Sequence, residues 1–278
     1  MIHTYGMIDT KAFGVMTAAA TEMVTSAQGA TFKANMTFEQ AMKHLPDVDL
    51  LVIPGGGTDK ILKEKAQPLA LIKQYAEVQK KNPARERTLM SVCTGSLFLA
   101  EAGILSGLSA TTHPDFITKL EIACSNAAVR DMADRCDVME ERYVVNNLRF
   151  DLGEEDDNPY IMTRKEYKEH QRRKSSSIGV IEEQPNGSNG TGTARRPSAA
   201  RKGSVSLKQS NTRRESVLKR SNLRLGGLRV LTTGGITSGM DGALYMVGAL
   251  VSDDAAEEVA RMMCYKWVKG TVVDGTDV

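Results

Sequence analysis

Short apolar runs alternate with helix-like stretches along most of this chain. Continuous apolar runs of this kind are typical of strands that a sheet buries on both faces. Such runs lie at residues 13–20, 47–53, 88–92 and 228–233. Because helix patterns separate them, the sequence predicts an α/β protein with a doubly wound sheet. Helices would cover both of its faces in a three-layer α/β/α arrangement.

Polar residues indicate where several helices begin. Thr37 and Gln40 have the spacing of a capping box, in which a side chain at each position bonds to the backbone amide of the other. Ser238 and Asp241 have a similar spacing and predict the start of a helix at residues 242–250. Further helix patterns cover residues 59–78, punctuated at Pro68, and residues 114–125.

The pattern breaks between residues 152 and 222. An acidic cluster is followed by a tract rich in Lys, Arg, Ser, Gly and Asn, which offers few side chains for a core. Burial in such a segment cannot offset the entropy of ordering it, so disorder is predicted. We therefore expect one α/β domain in two parts, residues 1–151 and 227–278, with a disordered insert at 152–226.

Composition narrows the class of function. The formal net charge of the 278 residues is +2, so nucleic acid and other polyanions are not expected partners of the whole chain. The four cysteines lack CxxC or CxxH spacing, and no metal or cofactor is predicted. No apolar run approaches the roughly 18 residues of a membrane span, and no signal-peptide core is visible. We expect a cytoplasmic protein with no membrane partner.

The clearest chemical signal follows the apolar run at 88–92. That run stops at Cys93, and Thr94-Gly95-Ser96 leads at once into a helix-like stretch. This is a cysteine version of the nucleophile elbow, a sharp strand-to-helix turn that exposes one side chain. The positive end of the helix dipole favours the thiolate, which is the reactive form. A free cysteine is more often a small buried hydrophobe, but this context favours a nucleophilic or redox role for Cys93.

Two further segments are expected near the elbow. His113 ends the short apolar run at 108–112, and strand ends are where α/β enzymes collect catalytic groups, although a lone histidine is often structural. Gly56 and Gly57 follow the run at 47–53. Their backbone N–H groups could stabilise a developing anion, or the loop could be an ordinary strand-to-helix turn.

Taken together, these motifs resemble the ThiJ/PfpI superfamily, which shares the flavodoxin-like fold of the class I glutamine amidotransferases. The resemblance rests on Cys-Thr-Gly-Ser at 93–96, the strand end at 110–113 and Pro-Gly-Gly-Gly at 54–57. The cysteine motif and the segment at 232–241 are most similar to the isonitrile hydratase branch. The resemblance implies a homodimer that adds water to a small electrophile, an isonitrile, and releases an N-substituted formamide.

The resemblance also implies roles for individual residues. Cys93 would attack the electrophilic carbon, and Thr94 would position water or polarise the adduct. The backbone of the glycine loop would hold the anion, and the loop after the last apolar run would form the rim. The predicted site therefore comprises Cys93, Thr94, His113, Gly56, Gly57, Gly235 and Ile236.

One element of the superfamily is not visible. The elbow cysteine commonly works beside an acid from the first strand–helix unit, an Asp in the isonitrile hydratase branch. Residues 13–20 already resemble the second strand, so that unit is expected to be largely absent. Asp9 and Glu22 are candidates for the acid by position alone. Two alternatives stay open: a glyoxalase, deglycase or peptidase of the same superfamily, and a redox-sensing or regulatory protein without turnover.

The predicted insert carries a motif of its own. Two basic residues stand at the third and second positions before Ser175, Ser198 and Ser216, and Ser204 has a looser copy. This spacing resembles the recognition sites of basophilic kinases such as protein kinase A, although a solvated basic linker would look similar. Each phosphate adds about −1.5 to −2 charges, so three would reverse the local charge balance.

We expect purified protein incubated with a basophilic kinase and ATP to be labelled on Ser175, Ser198 and Ser216, because the preceding arginines pair with the acidic cleft of such a kinase. Mapping of phosphopeptides by mass spectrometry measures the label. As a matched control, replacing Arg213 and Arg214 by Gln should remove the label from Ser216 alone. The absence of label from all three serines would contradict the prediction.

Overall fold

The computed structural model of the protein describes residues 12–26, 29–64, 67–147, 161–162 and 224–274. Its strands, in chain order, are β1 (Ala18–Ala19), β2 (Met23–Thr25), β3 (Thr31–Lys33), β4 (Met36–Thr37), β5 (Leu50–Ile53), β6 (Thr88–Val92), β7 (Ser109–Ala110), β8 (Asp137–Val138), β9 (Tyr143–Asn147), β10 (Ile161–Met162), β11 (Arg229–Thr233) and β12 (Thr271–Asp274). Its helices are α1 (Phe38–His44), α2 (Thr58–Glu64), α3 (Gln67–Lys81), α4 (Ser96–Glu101), α5 (Ile117–Asp131), α6 (Ile236–Leu250) and α7 (Asp253–Met262).

The central sheet has the strand order β10-β12-β9-β11-β6-β5. Strands β5, β6 and β11 run parallel, whereas β9 runs antiparallel to β11. In the register of β6 with β11, the last pair is Val92 with Thr233. Both strands therefore end at the same level, and the residues that follow them lie side by side at one edge of the sheet.

Consecutive residues of the central strands contribute to different cores. On β6, Leu89 belongs to one core and Met90 to the other, and on β11 Val230 and Leu231 divide in the same way. Neighbouring side chains of a strand point to opposite faces, so the two cores lie on the two faces of the sheet. Helices α3, α4 and α5 contribute to the first core, and α6 packs against β6, β9 and β11. The α/β architecture predicted from the sequence is confirmed.

The capping box at α1 has the predicted geometry. The Thr37 hydroxyl accepts a hydrogen bond from the Gln40 amide at 3.3 Å, and the Gln40 side chain accepts one from the Thr37 amide at 2.9 Å. The helix pattern at 59–78 forms two helices, α2 and α3. Pro68 lies in the first turn of α3, where its missing N–H costs no helical hydrogen bond. None of the helices in the described ranges is long and apolar enough to cross a membrane.

The predicted capping box of Ser238 and Asp241 is wrong. Helix α6 begins at Ile236, with Gly235 as its N-cap and no side-chain cap. Asp241 lies inside the helix and is fully buried, with its carboxylate bound to Arg142. The Ser-x-x-Asp spacing does not mark the start of α6, because the Asp241 carboxylate binds the Arg142 side chain rather than a backbone amide at the helix start.

The predicted buried strand at residues 13–20 is also wrong. Only Ala18–Ala19 is extended, and it pairs with β4 in a separate two-stranded sheet. Val15 and Met16 are 81% and 60% exposed. Because these residues do not join the central sheet, their apolar character does not bury them.

The predicted insert lies largely outside the described residues, as do the phosphorylation candidates Ser175, Ser198, Ser204 and Ser216. Two short parts of the range 152–226 are described. Strand β10 pairs with β12 at one edge of the sheet. Leu225 is buried in the first core, and the Gln79 side chain donates a hydrogen bond to the Gly226 carbonyl at 2.8 Å. Residues 224–226, assigned to the insert by the prediction, therefore pack with the folded part.

Candidate active site

Cys93 occupies a strained turn at the end of β6. Its φ is 57°, a left-handed backbone conformation that costs a residue other than glycine roughly 1–2 kcal/mol. Residues Cys93–Gly95 form one 3₁₀ turn, and α4 starts directly afterwards. The Cys93 side chain is partly exposed, whereas Cys124 is buried. Strand, strained turn and helix have the order that the nucleophile elbow requires.

Hydrogen bonds from three parts of the chain hold the Cys93 backbone. The Cys93 amide donates to the Gly234 carbonyl at 2.8 Å. The Cys93 carbonyl accepts from the Thr112 hydroxyl at 3.1 Å and from the Ser96 hydroxyl at 3.3 Å. Both polar groups of the strained peptide unit are thus satisfied by neighbours at the same edge of the sheet.

The glycine loop after β5 lies directly against the elbow. The Gly56 amide donates a hydrogen bond to the Thr94 hydroxyl oxygen at 3.0 Å, and that hydroxyl lies 3.3 Å from the Gly56 carbonyl. Gly56 has a φ of 128°, which side chains rarely allow. The Gly56 amide is already bound to Thr94, whereas the amides of Gly55 and Gly57 have no hydrogen-bond acceptor among the described residues. Anion binding by this loop stays a prediction.

His113 is brought to the same edge by β7. Its Nδ1 accepts a hydrogen bond from the Asp115 amide at 3.3 Å and lies 3.7 Å from the Asp115 carboxylate. A nitrogen that accepts carries no proton in neutral imidazole, so the proton of neutral His113 is on Nε2. A Cβ placed on Gly235 would lie 3.8 Å from the His113 ring. The predicted rim and the predicted histidine are therefore neighbours.

The rest of the predicted rim is exposed. Ile236 is the first residue of α6, and 84% of it is accessible to solvent. Cys93, Thr94, the glycine loop, His113 and Gly235 therefore lie at one edge of the sheet. Their chemical roles stay predictions.

The acid candidates do not join this group in the described structure. Glu22 forms an ion pair with Lys33 at 2.9 Å, next to the β2–β3 hairpin, and both side chains are well exposed. Asp9 lies outside the described residues. Within the described ranges no carboxylate is hydrogen-bonded to Cys93, and no group of three His, Cys, Asp or Glu side chains could hold a metal ion.

An ion pair between a half-buried arginine and a fully buried aspartate lies beside the site, and the sequence analysis missed it. Arg142 donates from Nε to the fully buried carboxylate of Asp241, whose other oxygen accepts from the Val268 amide at 2.9 Å. Desolvation lowers the pKa of Arg142, but the hydrogen bond and charge of Asp241 more than offset it, so the pKa is raised. The signal for this ion pair in the sequence is Asp241, the one charged residue of α6, which the sequence analysis interprets as a helix cap.

The cysteine lies on a strained turn between a parallel strand and a helix, at the edge of a sheet with helices on both faces. This arrangement is typical of α/β proteins with a nucleophile elbow. Within that class the chain belongs to the DJ-1/PfpI family, whose family model matches residues 2–147. The resemblance to ThiJ/PfpI proteins is confirmed.

Named relatives match shorter segments. Isonitrile hydratase of Pseudomonas putida is 41% identical over 90 residues, which cover 32% of this chain and 35% of that protein. Protein DJ-1 homolog D of Arabidopsis thaliana is 28% identical over 108 residues, 39% of this chain and 26% of that protein. The chain thus spans about a third or less of these relatives.

Solved structures with a similar course of the chain include a ThiJ/PfpI family protein from Pseudomonas syringae. The two chains are 19% identical, with a TM-score of 0.49, over 92% of this chain and 64% of that one. An AraC family transcriptional regulator from Pseudomonas putida is 13% identical, with a TM-score of 0.47, over 92% of this chain and 83% of that one.

Replacing Gly55 by Ala should destabilise the elbow, because the added Cβ would lie 2.7 Å from the Thr94 hydroxyl and 3.0 Å from the Cys93 Cβ. Overpacking of this kind costs about 1–3 kcal/mol in the free energy of unfolding. Urea titration followed by circular dichroism measures it.

Gly57→Ala is the matched control, since a Cβ there meets nothing within 4 Å. We expect its free energy of unfolding to stay within about 0.5 kcal/mol of the unsubstituted protein. Equal stability of the two variants would contradict the close approach of the loop to the elbow.

Proposed function

We propose that the protein is a hydratase in which Cys93 adds to an isonitrile and water then releases an N-substituted formamide. The observation that carries the proposal is the strained and partly exposed Cys93, with Thr94 and the glycine loop packed against it. The 41% identity to isonitrile hydratase over 90 residues supports the same class of substrate.

The reaction balances through a thioimidate on Cys93. The thiolate forms a bond to the terminal isonitrile carbon, and that carbon takes a proton to give R–N=CH–S–Cys. Water then adds to the carbon, and the nitrogen takes up the proton that the water loses. Collapse of this adduct breaks the C–S bond, restores the thiolate and forms the formyl C=O as the hydroxyl proton leaves. The net change is R–NC plus water to R–NH–CHO.

Thr94 has a geometry suited to the second step. Its oxygen accepts from the Gly56 amide, so its proton is the mobile group, and it can turn from the Gly56 carbonyl towards water or the adduct nitrogen. Further donors among the described residues of this edge include the Gly57 amide and the Nε2–H of His113. Directed donors at a developing charge are usually a major contribution to catalysis.

Incubation with a small isonitrile such as cyclohexyl isocyanide should release N-cyclohexylformamide, which gas chromatography measures. Cys93→Ser should abolish the release, because a serine hydroxyl at neutral pH is a far weaker nucleophile than a thiolate. Cys264→Ser is the matched control, since it removes an exposed cysteine that the proposal does not use. Turnover by Cys93→Ser equal to that of the unsubstituted protein would exclude covalent catalysis.

The same assay separates the role of Thr94 from its packing. Thr94→Val keeps the shape but removes the hydroxyl, and we expect kcat to fall about a hundredfold, whereas Thr94→Ser should retain most of it. Conversion of methylglyoxal to lactate without added thiol, in the absence of isonitrile turnover, would instead favour the glyoxalase or deglycase alternative.

A second candidate is a redox-sensing protein without turnover. It is favoured because the described residues provide no carboxylate hydrogen-bonded to Cys93, so an acid for protonating the isonitrile carbon is not identified among them. A thiolate reacts with hydrogen peroxide to give a sulfenate and water with no proton added, and a second peroxide gives the sulfinate and water.

Under mild hydrogen peroxide, mass spectrometry should then find Cys93 oxidised before Cys124, Cys136 or Cys264. Cys264 is the stringent internal control, because it is exposed whereas Cys93 is only partly so. Faster oxidation of Cys93 than of Cys264 would then be caused by the strained turn and the start of α4 beside the thiol, and not by greater exposure to solvent. Oxidation of Cys264 first would count against a sensor role for the elbow.

A further inference from the structure

We propose that the ion pair between half-buried Arg142 and fully buried Asp241 positions Cys93, acting through Gly234. Neither residue is placed in contact with a substrate, so both are positioning residues rather than catalytic ones. The inference rests on the proposed role of Cys93 as the reactive thiol, but the geometry that carries it does not depend on the reaction.

The first part of the connection runs through the backbone. The Gly234 amide donates a hydrogen bond to the Arg142 carbonyl at 2.9 Å, and the Gly234 carbonyl accepts from the Cys93 amide at 2.8 Å. One residue, Gly234, thus lies between Arg142 and the strained Cys93. A shift of Arg142 relative to β6 would be passed to Cys93 through two hydrogen bonds.

The second part fixes Arg142 by its side chain. Besides the Asp241 carboxylate, its guanidinium donates to the Thr237 hydroxyl at 3.2 Å and to the Tyr265 hydroxyl at 3.4 Å. Tyr265 in turn donates to the Thr237 carbonyl at 3.0 Å. Arg142 is therefore tied to the first turns of α6 through its side chain, and to the loop before α6 through its carbonyl.

The burial of Asp241 makes this arrangement hard to displace. The residue is 0% exposed, so loss of Arg142 would leave an unpaired charge inside the protein, which is strongly unfavourable. The pair formed by Arg85 and Asp49 offers a contrast. It is also charged and multiply bonded, but Asp49 is largely exposed and lies just before β5, at the end of the strand away from the elbow.

Amide hydrogen exchange measured by NMR tests the positioning directly. Arg142→Lys keeps the charge but loses the fork of donors, and Tyr265→Phe leaves the ion pair but removes the hydroxyl that bonds to Arg142 and to the Thr237 carbonyl. We expect exchange of the Cys93 and Gly234 amides to rise about tenfold in Arg142→Lys, with a smaller rise in Tyr265→Phe. Exchange of the Leu231 amide, in the core of the sheet, should stay unchanged.

The rate of Cys93 alkylation by iodoacetamide at pH 7 should change in the same variants by a similar factor, with Cys264 as the internal reference. Arg85→Lys is the matched control, and we expect it to alter neither measurement. If Arg142→Lys does not fold, Tyr265→Phe decides the question.

Two results would overturn the proposal: unchanged exchange of the Cys93 and Gly234 amides, or a rise equal to that of Leu231, which would mark a general loss of stability. Failure of isonitrile turnover in the unsubstituted protein would remove the proposed hydratase activity. The hydrogen-exchange and alkylation results would still test whether Arg142 and Asp241 position Cys93, because neither measurement depends on isonitrile turnover.

Discussion

The common end of β6 and β11 is the constraint on which the candidate site depends. Since Val92 pairs with Thr233, the next residue of each strand is placed beside the other, and the Cys93 amide meets the Gly234 carbonyl. Strand β5 joins the same register with Ile53 opposite Ser91, so the glycine loop also leaves the sheet at this level. Parallel strands in register thus gather three loops at one edge of the sheet.

Local patterns were sufficient to predict the elements that hold the cysteine. An apolar run followed by Cys-Thr-Gly-Ser predicts a strand, a turn and a helix, since each step depends on residues within a few positions of one another. The partnership of Asp241 with Arg142 could not be predicted in this way, because 99 residues separate them. The prediction of a buried strand at 13–20 was wrong for a related reason. An apolar run becomes a buried strand only where the sheet provides neighbouring strands, and the tertiary fold decides which strands are neighbours.

The position of the Cys93 thiol and the supply of protons around it depend on different parts of the structure. The position of Cys93 is set by hydrogen bonds of its own backbone, from the Thr112 and Ser96 hydroxyls and to the Gly234 carbonyl, whereas proton transfer requires particular side chains near the thiol. Thr94 and His113 offer donors at this edge, and Glu22 is engaged by Lys33. One arrangement of the elbow is therefore compatible with hydration, with related carbonyl chemistry or with oxidation by peroxide. The groups around the thiol, rather than the thiol itself, select the reaction.

The left-handed conformation of Cys93 depends on residues outside the segment 88–96 that contains it. A left-handed conformation costs about 1–2 kcal/mol, and the three hydrogen bonds to the Cys93 backbone contribute about 1 kcal/mol each, so together they offset it. Only the bond from Ser96 comes from the adjoining helix; the others come from Thr112 and Gly234. An isolated segment with the elbow sequence would lose those two bonds and relax. The conformation that presents the thiol is therefore a property of the assembled sheet, held in place by β11 and by the residues that fix the loop after it.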